Sequence, residues 1–230
     1  MATIKEPLAD ARDMFAVHTV FRREFGLMSG LVRAVAAGDQ RLSALVVDHI
    51  ALMSRFVEVH HSGEDMHTWP RLRTRVPEEI VSILDVMELQ HSAVHAGLLQ
   101  VNAVLQAWRE SASVETRNAV ADVIDRFVPV LEEHLALEEK RVVPLIERYL
   151  TAAEYALSAS EAAAAIPPDK LPVIFGMFMY EAAPAVVDMV VSVMPAEVQP
   201  VIRDLAVESY AAYAQALYGT VAPRRVTRQR

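Results

Sequence analysis

Apolar residues recur over the first 150 positions in alternating steps of three and four, the interval that keeps them on one face of an α-helix. Four stripes stand out. The first runs through Met14, Phe15, His18, Phe21, Phe25 and Met28, and the second through Leu42, Leu45, His49, Leu52, Met53, Phe56, His60 and Glu64. The third gives Leu84, Met87, His91, His95, Leu98 and Leu99; the fourth gives Phe127, Leu131, His134, Glu138, Val142 and Leu145. The first helix is predicted from near Ala9 to Ala37, with Gly38 as its stop. Asp39 caps a second helix that continues to about Met66. Trp69-Pro70 and Pro77 bracket a connection, and Pro77 with Glu78 and Glu79 opens a third helix reaching about Glu110. Ser111 or Ser113 caps the fourth, which runs to about Leu150 and is bent by Pro129 and Pro144 inside it.

After residue 150 the pattern loosens. SASEAAAAIPPDK reads as a connection holding a short helix, broken at Pro167-Pro168. From Leu171 to about Gly219, two or three shorter helices are punctuated by Pro184, Pro195 and Pro200. This part is too small and too apolar to stand alone, so it is expected to pack on the bundle, over one end or one side. The organisation predicted is an all-α chain: a four-helix bundle over 1–151, a helical extension over 152–222 and a basic tail over 223–230.

Composition narrows the class. Only 7 of 230 residues are glycine and 53% are hydrophobic, which suits helices around a full core. No cysteine is present, so disulfides, thiolate ligands and a thiol nucleophile are excluded together; this fits a reducing cytoplasm. The first residues, MATIKEPLADARD, lack the apolar core of a secretory signal. A net charge of −8 argues against nucleic acid as a partner. The apolar run LPVIFGMFMY is far short of the ~20 residues that span a bilayer, so no membrane role is expected.

The chemistry lies in the polar residues that interrupt the stripes. His60 and Glu64, His91 and His95, and His134 and Glu138 are each four apart, so each pair projects from one helix face. His18 adds a single imidazole from the first helix. Two carboxylates and five imidazoles in an apolar core need compensation, and cations supply it. Seven nitrogen and oxygen donors exceed one ion's needs. They suit two ions of iron, manganese or zinc that share the carboxylates.

These motifs resemble the hemerythrin family, the His-His-Glu cation-binding domains. VHTVFRREF carries His18, VHHSGEDMHTWP carries His60 and Glu64, ELQHSAVH carries His91 and His95, and EEHLALEE carries His134 and Glu138. The resemblance covers about residues 10 to 150, and the extension is similar in character to that of longer actinobacterial hemerythrin-like proteins. It implies two non-heme irons joined by a solvent-derived oxo or hydroxo bridge and by Glu64 and Glu138. His91, His95 and His134 would saturate one iron. His18 and His60 would hold the other, leaving a position open for O2, NO, peroxide or azide. Oxygen-carrying members have an aspartate one position after that of Glu138, so oxygen carriage does not follow automatically.

Other polar residues read differently. His61 points ~100° from His60, toward a helix interface or the surface, with a role behind the ligands as the alternative. His49 lies ~16 Å along the helix from His60, too far for the same ions, and reads as a hydrogen-bonded core histidine. Glu88 with His91 hints at the ferritin-like Glu-x2-His pattern, but the residue three before His134 is Leu131. Its remaining role is support of the ligands. Glu133 and Glu139 read as solvated. Tyr149, Tyr155 and Tyr180 would be proton or hydrogen-bond donors if the extension covers the site. The expected function is binding or sensing of a small oxidant. The competing readings are an enzyme that decomposes peroxide or NO, and an iron-dependent interaction module.

Overall fold

A computed structural model describes residues 6–225. Its bundle consists of α1 (Arg12–Ala34), α2 (Gln40–Gly63), α4 (Glu78–Ser111) and α5 (Val114–Arg141), each packing on the next and α5 closing back on α1. Between α2 and α4 lie a π-helical turn over Glu64–Thr68 and the short α3 (Trp69–Arg73). After α5 come α6 (Val143–Tyr149), α7 (Ala152–Ala165), α8 (Leu171–Glu181), α9 (Pro184–Ser192) and α10 (Gln199–Tyr218). No strand occurs among the described residues. A single bridge between Leu8 and Thr151 ties the entry to α1 against the start of α7.

The caps act as their residue types dictate. The Asp39 side chain accepts from the Leu42 N–H, and Ser113 accepts from the Thr116 N–H. Gly38 adopts φ +80° in the α1–α2 turn, and its N–H donates to the Ala112 carbonyl at 2.9 Å. That bond joins two turns at the same end of the bundle.

Four boundaries differ from the periodicity. The first helix runs from Arg12 only to Ala34, where Val35 turns extended, and Gly38 lies in the turn beyond rather than at the helix stop. The second helix stops at Gly63 because the widened turn begins at Glu64, where the Trp69 N–H reaches back five residues to the Glu64 carbonyl. The fourth does not continue to Leu150: it ends at Arg141, Val142 makes the break, and Pro144 falls in the first turn of α6. A proline there lacks an N–H that would be unpaired in any case. The connection after 150 is mostly α7, opened by a reciprocal capping box in which Thr151 and Glu154 satisfy each other's backbone N–H groups.

The extension lies against the α1 and α2 side of the bundle. α7 crosses the end of α2 so closely that a Cβ at Gly63 would sit 2.9 Å from the Ser158 carbonyl oxygen, and only glycine allows that approach. The Ser158 hydroxyl then donates to the Gly63 carbonyl at 2.9 Å. α8 and α10 pair with each other, with Gly176 against the Ala206 carbonyl, and both reach the bundle. Of the expected basic tail, Pro223 accepts from the Tyr180 hydroxyl and Arg225 lies over the Tyr180 ring. Residues 226–230 lie outside the described residues. No helix among those described is long and apolar enough to cross a membrane.

Candidate metal centre

One end of the bundle core is polar. His18 from α1, His60 and His61 from α2, Glu64 at the start of the widened turn, His91 from α4, and His134 and Glu138 from α5 converge there. Their ligating atoms form three overlapping groups, within each of which all lie within 4.8 Å of one another: His61, His91 and His134; His18, His60 and Glu138; His60, His61 and Glu64. The Nε2 of His18 is 3.3 Å from that of His60 and 3.4 Å from Glu138 Oε2. Glu64 lies between the two sides, its Oε1 3.3 Å from His60 Nε2 and its Oε2 3.5 Å from His91 Nε2. The His61 and His91 rings stack at 4.1 Å between centroids.

Six of the seven residues predicted from sequence are therefore together, and one is not. His95 has 61% of its side chain exposed, with Nδ1 3.9 Å from Glu58 Oε1 on the surface. The reason is the phase of α4. Its buried positions are Leu84, Met87, His91, Val94, Leu98, Val101, Leu105 and Trp108, so the inward step after His91 is three residues, not four. Val94 faces the core and His95 is turned ~100° away. The place in the cluster is taken instead by His61, which continues the buried run Ile50, Met53, Val57 on α2. Glu88 also leaves the candidate set. It pairs with Arg73 at 2.9 Å on the surface.

The atoms in the cluster lack ordinary partners. Both carboxylate oxygens of Glu64 and of Glu138, both ring nitrogens of His134, and Nε2 of His61 and His91 are buried without a hydrogen bond. Native interiors hold a few such atoms per hundred residues, scattered singly, so eight gathered in one place call for a partner. Burial, reinforced by the charges of neighbouring histidines, pushes the imidazole pKa of His60 and His61 well below the usual range and that of His134 to about 2. Burial and then the adjacent Glu138 push the Glu64 carboxyl well above its usual range. Uncharged imidazoles with free lone pairs beside carboxylates that lack counter-charge are the donor set of a cation site, and these residues fit one.

Two carboxylates behind the ring of histidines were not expected from the stripes. Glu139, read as solvated, accepts from His18 Nδ1 at 3.1 Å and from Arg22 at 2.6 Å. Burial raises the Glu139 carboxyl, but these hydrogen bonds outweigh it and hold its pKa below the ordinary value. Asp65, brought round by the widened turn, accepts from His91 Nδ1 at 2.7 Å. Each bond assigns the proton to Nδ1 and leaves the Nε2 lone pair facing inward, the arrangement that orients metal-binding histidines.

The cluster is flanked by two different pockets. A polar one of about 840 Å³ is lined by Arg55, Glu58, Asp65, Glu88, His91 and His95. An apolar one of about 430 Å³ lies between bundle and extension and has His60 and Glu64 in its wall. Tyr155 from α7 also lines it, its hydroxyl donating to Asp13 at 3.0 Å.

The family model of the hemerythrin HHE cation binding domain matches residues 10–146. An uncharacterized protein of Haemophilus influenzae is 30% identical over 98 residues, covering 43% of this chain and 52% of the relative. The chain thus spans about half the length of that curated relative. No solved structure matches.

Proposed function

The chain belongs to the hemerythrin HHE cation-binding family, and from that premise we propose that its buried cluster holds two non-heme iron ions and binds or senses a small oxidant such as O2 or NO. His61, His91 and His134 would hold one ion and His18 and His60 the other, with Glu64 and Glu138 shared between them. The observation that carries this reading is the set of orphaned atoms: four carboxylate oxygens and four imidazole nitrogens, buried together with nothing to bond. Iron held there would supply electrons and bind the small ligand.

The protein's own residues do the rest. Glu139 and Asp65 fix the ring orientation of His18 and His91. Phe21 lies edge-on to His60 at 5.4 Å, and Phe56 stands against Phe21 at 4.9 Å, so the His18–His60 side is approached past apolar rings. A dry, apolar approach favours a small neutral ligand over ions. A second reading, decomposition of peroxide, is favoured by one feature: the Tyr155–Asp13 pair shares the pocket wall with His60 and Glu64 and can hold a proton there.

Metal analysis of the full chain, paired with its visible spectrum, tests the proposal. Two irons per chain are expected, and removing them should lower stability by about 4 kcal/mol for each ion held at a thousandfold above its Kd. A verified iron-free chain with an unchanged melting curve overturns the reading. Reversible spectral change with O2 or NO supports binding. Oxygen release from hydrogen peroxide, diminished in Tyr155→Phe, would transfer the conclusion to the enzyme.

A further inference from the structure

The apolar cavity is far larger than a diatomic ligand needs. At roughly 30 Å³ per heavy atom, the share of one water in the liquid, its volume of about 430 Å³ holds about fourteen heavy atoms. It also falls within the size range of small-molecule sites. The extension builds most of its wall. Ala162 from α7, Ile174 from α8, Val190 from α9 and Ile202 from α10 face Met14 and Phe56 of the bundle. The polar groups in the lining are few: Asp13 with Tyr155, Ser158, and the cluster residues His60 and Glu64. No lysine or arginine among the described residues lines it, so the only cations an oxygen-bearing end could meet are metal ions at the His60–Glu64 wall. Asp13 is already engaged by the Tyr155 hydroxyl, and metal ions would engage Glu64, so a cationic end has no free partner.

We propose that this cavity binds an aliphatic molecule of about a dozen heavy atoms, its single oxygen-bearing end set against the His60–Glu64 wall. The inference rests on the metal reading in one respect, that this end faces the open iron position. The extension is then the part of the chain that adds a ligand site to the family's bundle, and an occupant would control access to the centre from its apolar side.

The neutral fluorophore 1-aminoanthracene reports occupancy of such a cavity. With the iron-loaded full chain it should brighten saturably at one per chain, and 1-undecanol should displace it at concentrations at least tenfold below those of undecylamine. Ala162→Trp fills the cavity and should weaken probe binding at least tenfold at unchanged iron content. If that variant does not fold, as judged by circular dichroism, Val198→Trp fills it from the segment before α10. With 1-undecanol bound, azide should bind the iron several-fold more weakly. Equal brightening in a folded filled variant, or no preference for the alcohol over the amine, overturns the inference, as does azide binding that ignores the alcohol. Two irons without probe binding would sink the cavity assignment and leave the metal reading standing. Probe binding without iron would do the reverse.

Discussion

Helices α1 and α2 carry two buried polar clusters, and their atoms are accounted for in opposite ways. At one end stand His18, His60, His61 and Glu64, with His91, His134 and Glu138 from the other side of the bundle. Further along stand Arg23, Glu24 and His49, all fully buried. In this second cluster Glu24 accepts from Arg23 and from the Tyr218 hydroxyl and lies 3.2 Å from His49 Nε2. Arg23 also reaches Glu181 at 2.8 Å and lies over the rings of Tyr180 and Tyr210, 5.2 Å from each. His49 Nδ1 meets the Tyr213 hydroxyl at 3.0 Å. Three of these partners come from α10 and two from α8. The network is the latch by which the extension is held, and its charged groups are satisfied within the protein. The first cluster is left short. Counting lone pairs and N–H groups therefore separates a structural histidine such as His49 from a candidate ligand such as His134, which burial alone does not.

The sharpest way to break this contrast is to remove one carboxylate charge from each cluster. Glu24→Gln leaves a buried guanidinium short of its partner and should cost about 3–5 kcal/mol, a fall in melting temperature of about 10 °C for a chain of this length. Glu138→Gln should strip the metal and yet raise the melting temperature of the iron-free chain, because it relieves repulsion on Glu64. If both variants destabilise the iron-free chain equally, the two clusters are alike and the orphaned atoms have been misjudged.

Acid separates the clusters along the pH axis. Burial opposes ionisation of Glu24, but the hydrogen bond and charge of His49, with Arg23, prevail and hold its pKa at about 2, below the ordinary 4.5. A carboxyl with a depressed folded-state pKa contributes stability that is complete above the unfolded value and lost as pH falls through 4.5 toward 2, here about 3 kcal/mol. His134 behaves differently. Its pKa lies at about 2 against an ordinary 6.5, so the unfolded chain gains protons first and stability falls from pH 6.5 downward. Urea midpoints of the iron-free chain should therefore decline from pH 6.5, and Glu24→Gln should flatten only the limb below 4.5. A decline confined to the lower limb in the wild type would mean that the histidine cluster does not exclude protons.

Much of this was legible in the chain. Stripe positions found the four bundle helices, and Asp39 and Ser113 announced their caps. His18, which stands alone in sequence, was found by its place on the α1 stripe and by its motif. What escaped depends on events that periodicity does not encode. The widened turn at Glu64 is one extra residue in a turn, and it alone brings Asp65 to His91. Pro144 opens α6 rather than bending the fourth helix, and in sequence a proline looks the same inside a helix and at its first turn. Thr151-x2-Glu154 does carry a signal in sequence, since a capping box marks a helix start. Glu139 is adjacent to a stripe residue, and only the approach of His18 and Arg22 from α1 distinguishes it from a solvated neighbour.

The exchange of His95 for His61 permits the finest test, because the two readings differ by one helical step. On α4, His91-x3-His95 has the i, i+4 spacing of a ligand pair, but spacing establishes only that two side chains share a face, not that the face is fully inward. The next inward residue is chosen by the 3-4 alternation of the whole helix, and Leu84, Met87, Val94, Leu98 and Val101 assign that place to Val94. His95→Ala should consequently change stability by no more than about 0.5 kcal/mol, as at other surface sites, and leave iron content intact. His61→Ala removes a nitrogen stacked on His91 and edge-on to His134 and should weaken iron retention roughly tenfold or more. The opposite pattern, iron lost with His95 and kept without His61, would require α4 to turn by one position in the loaded protein, and the division of ligands drawn from the buried stripes would fall with it.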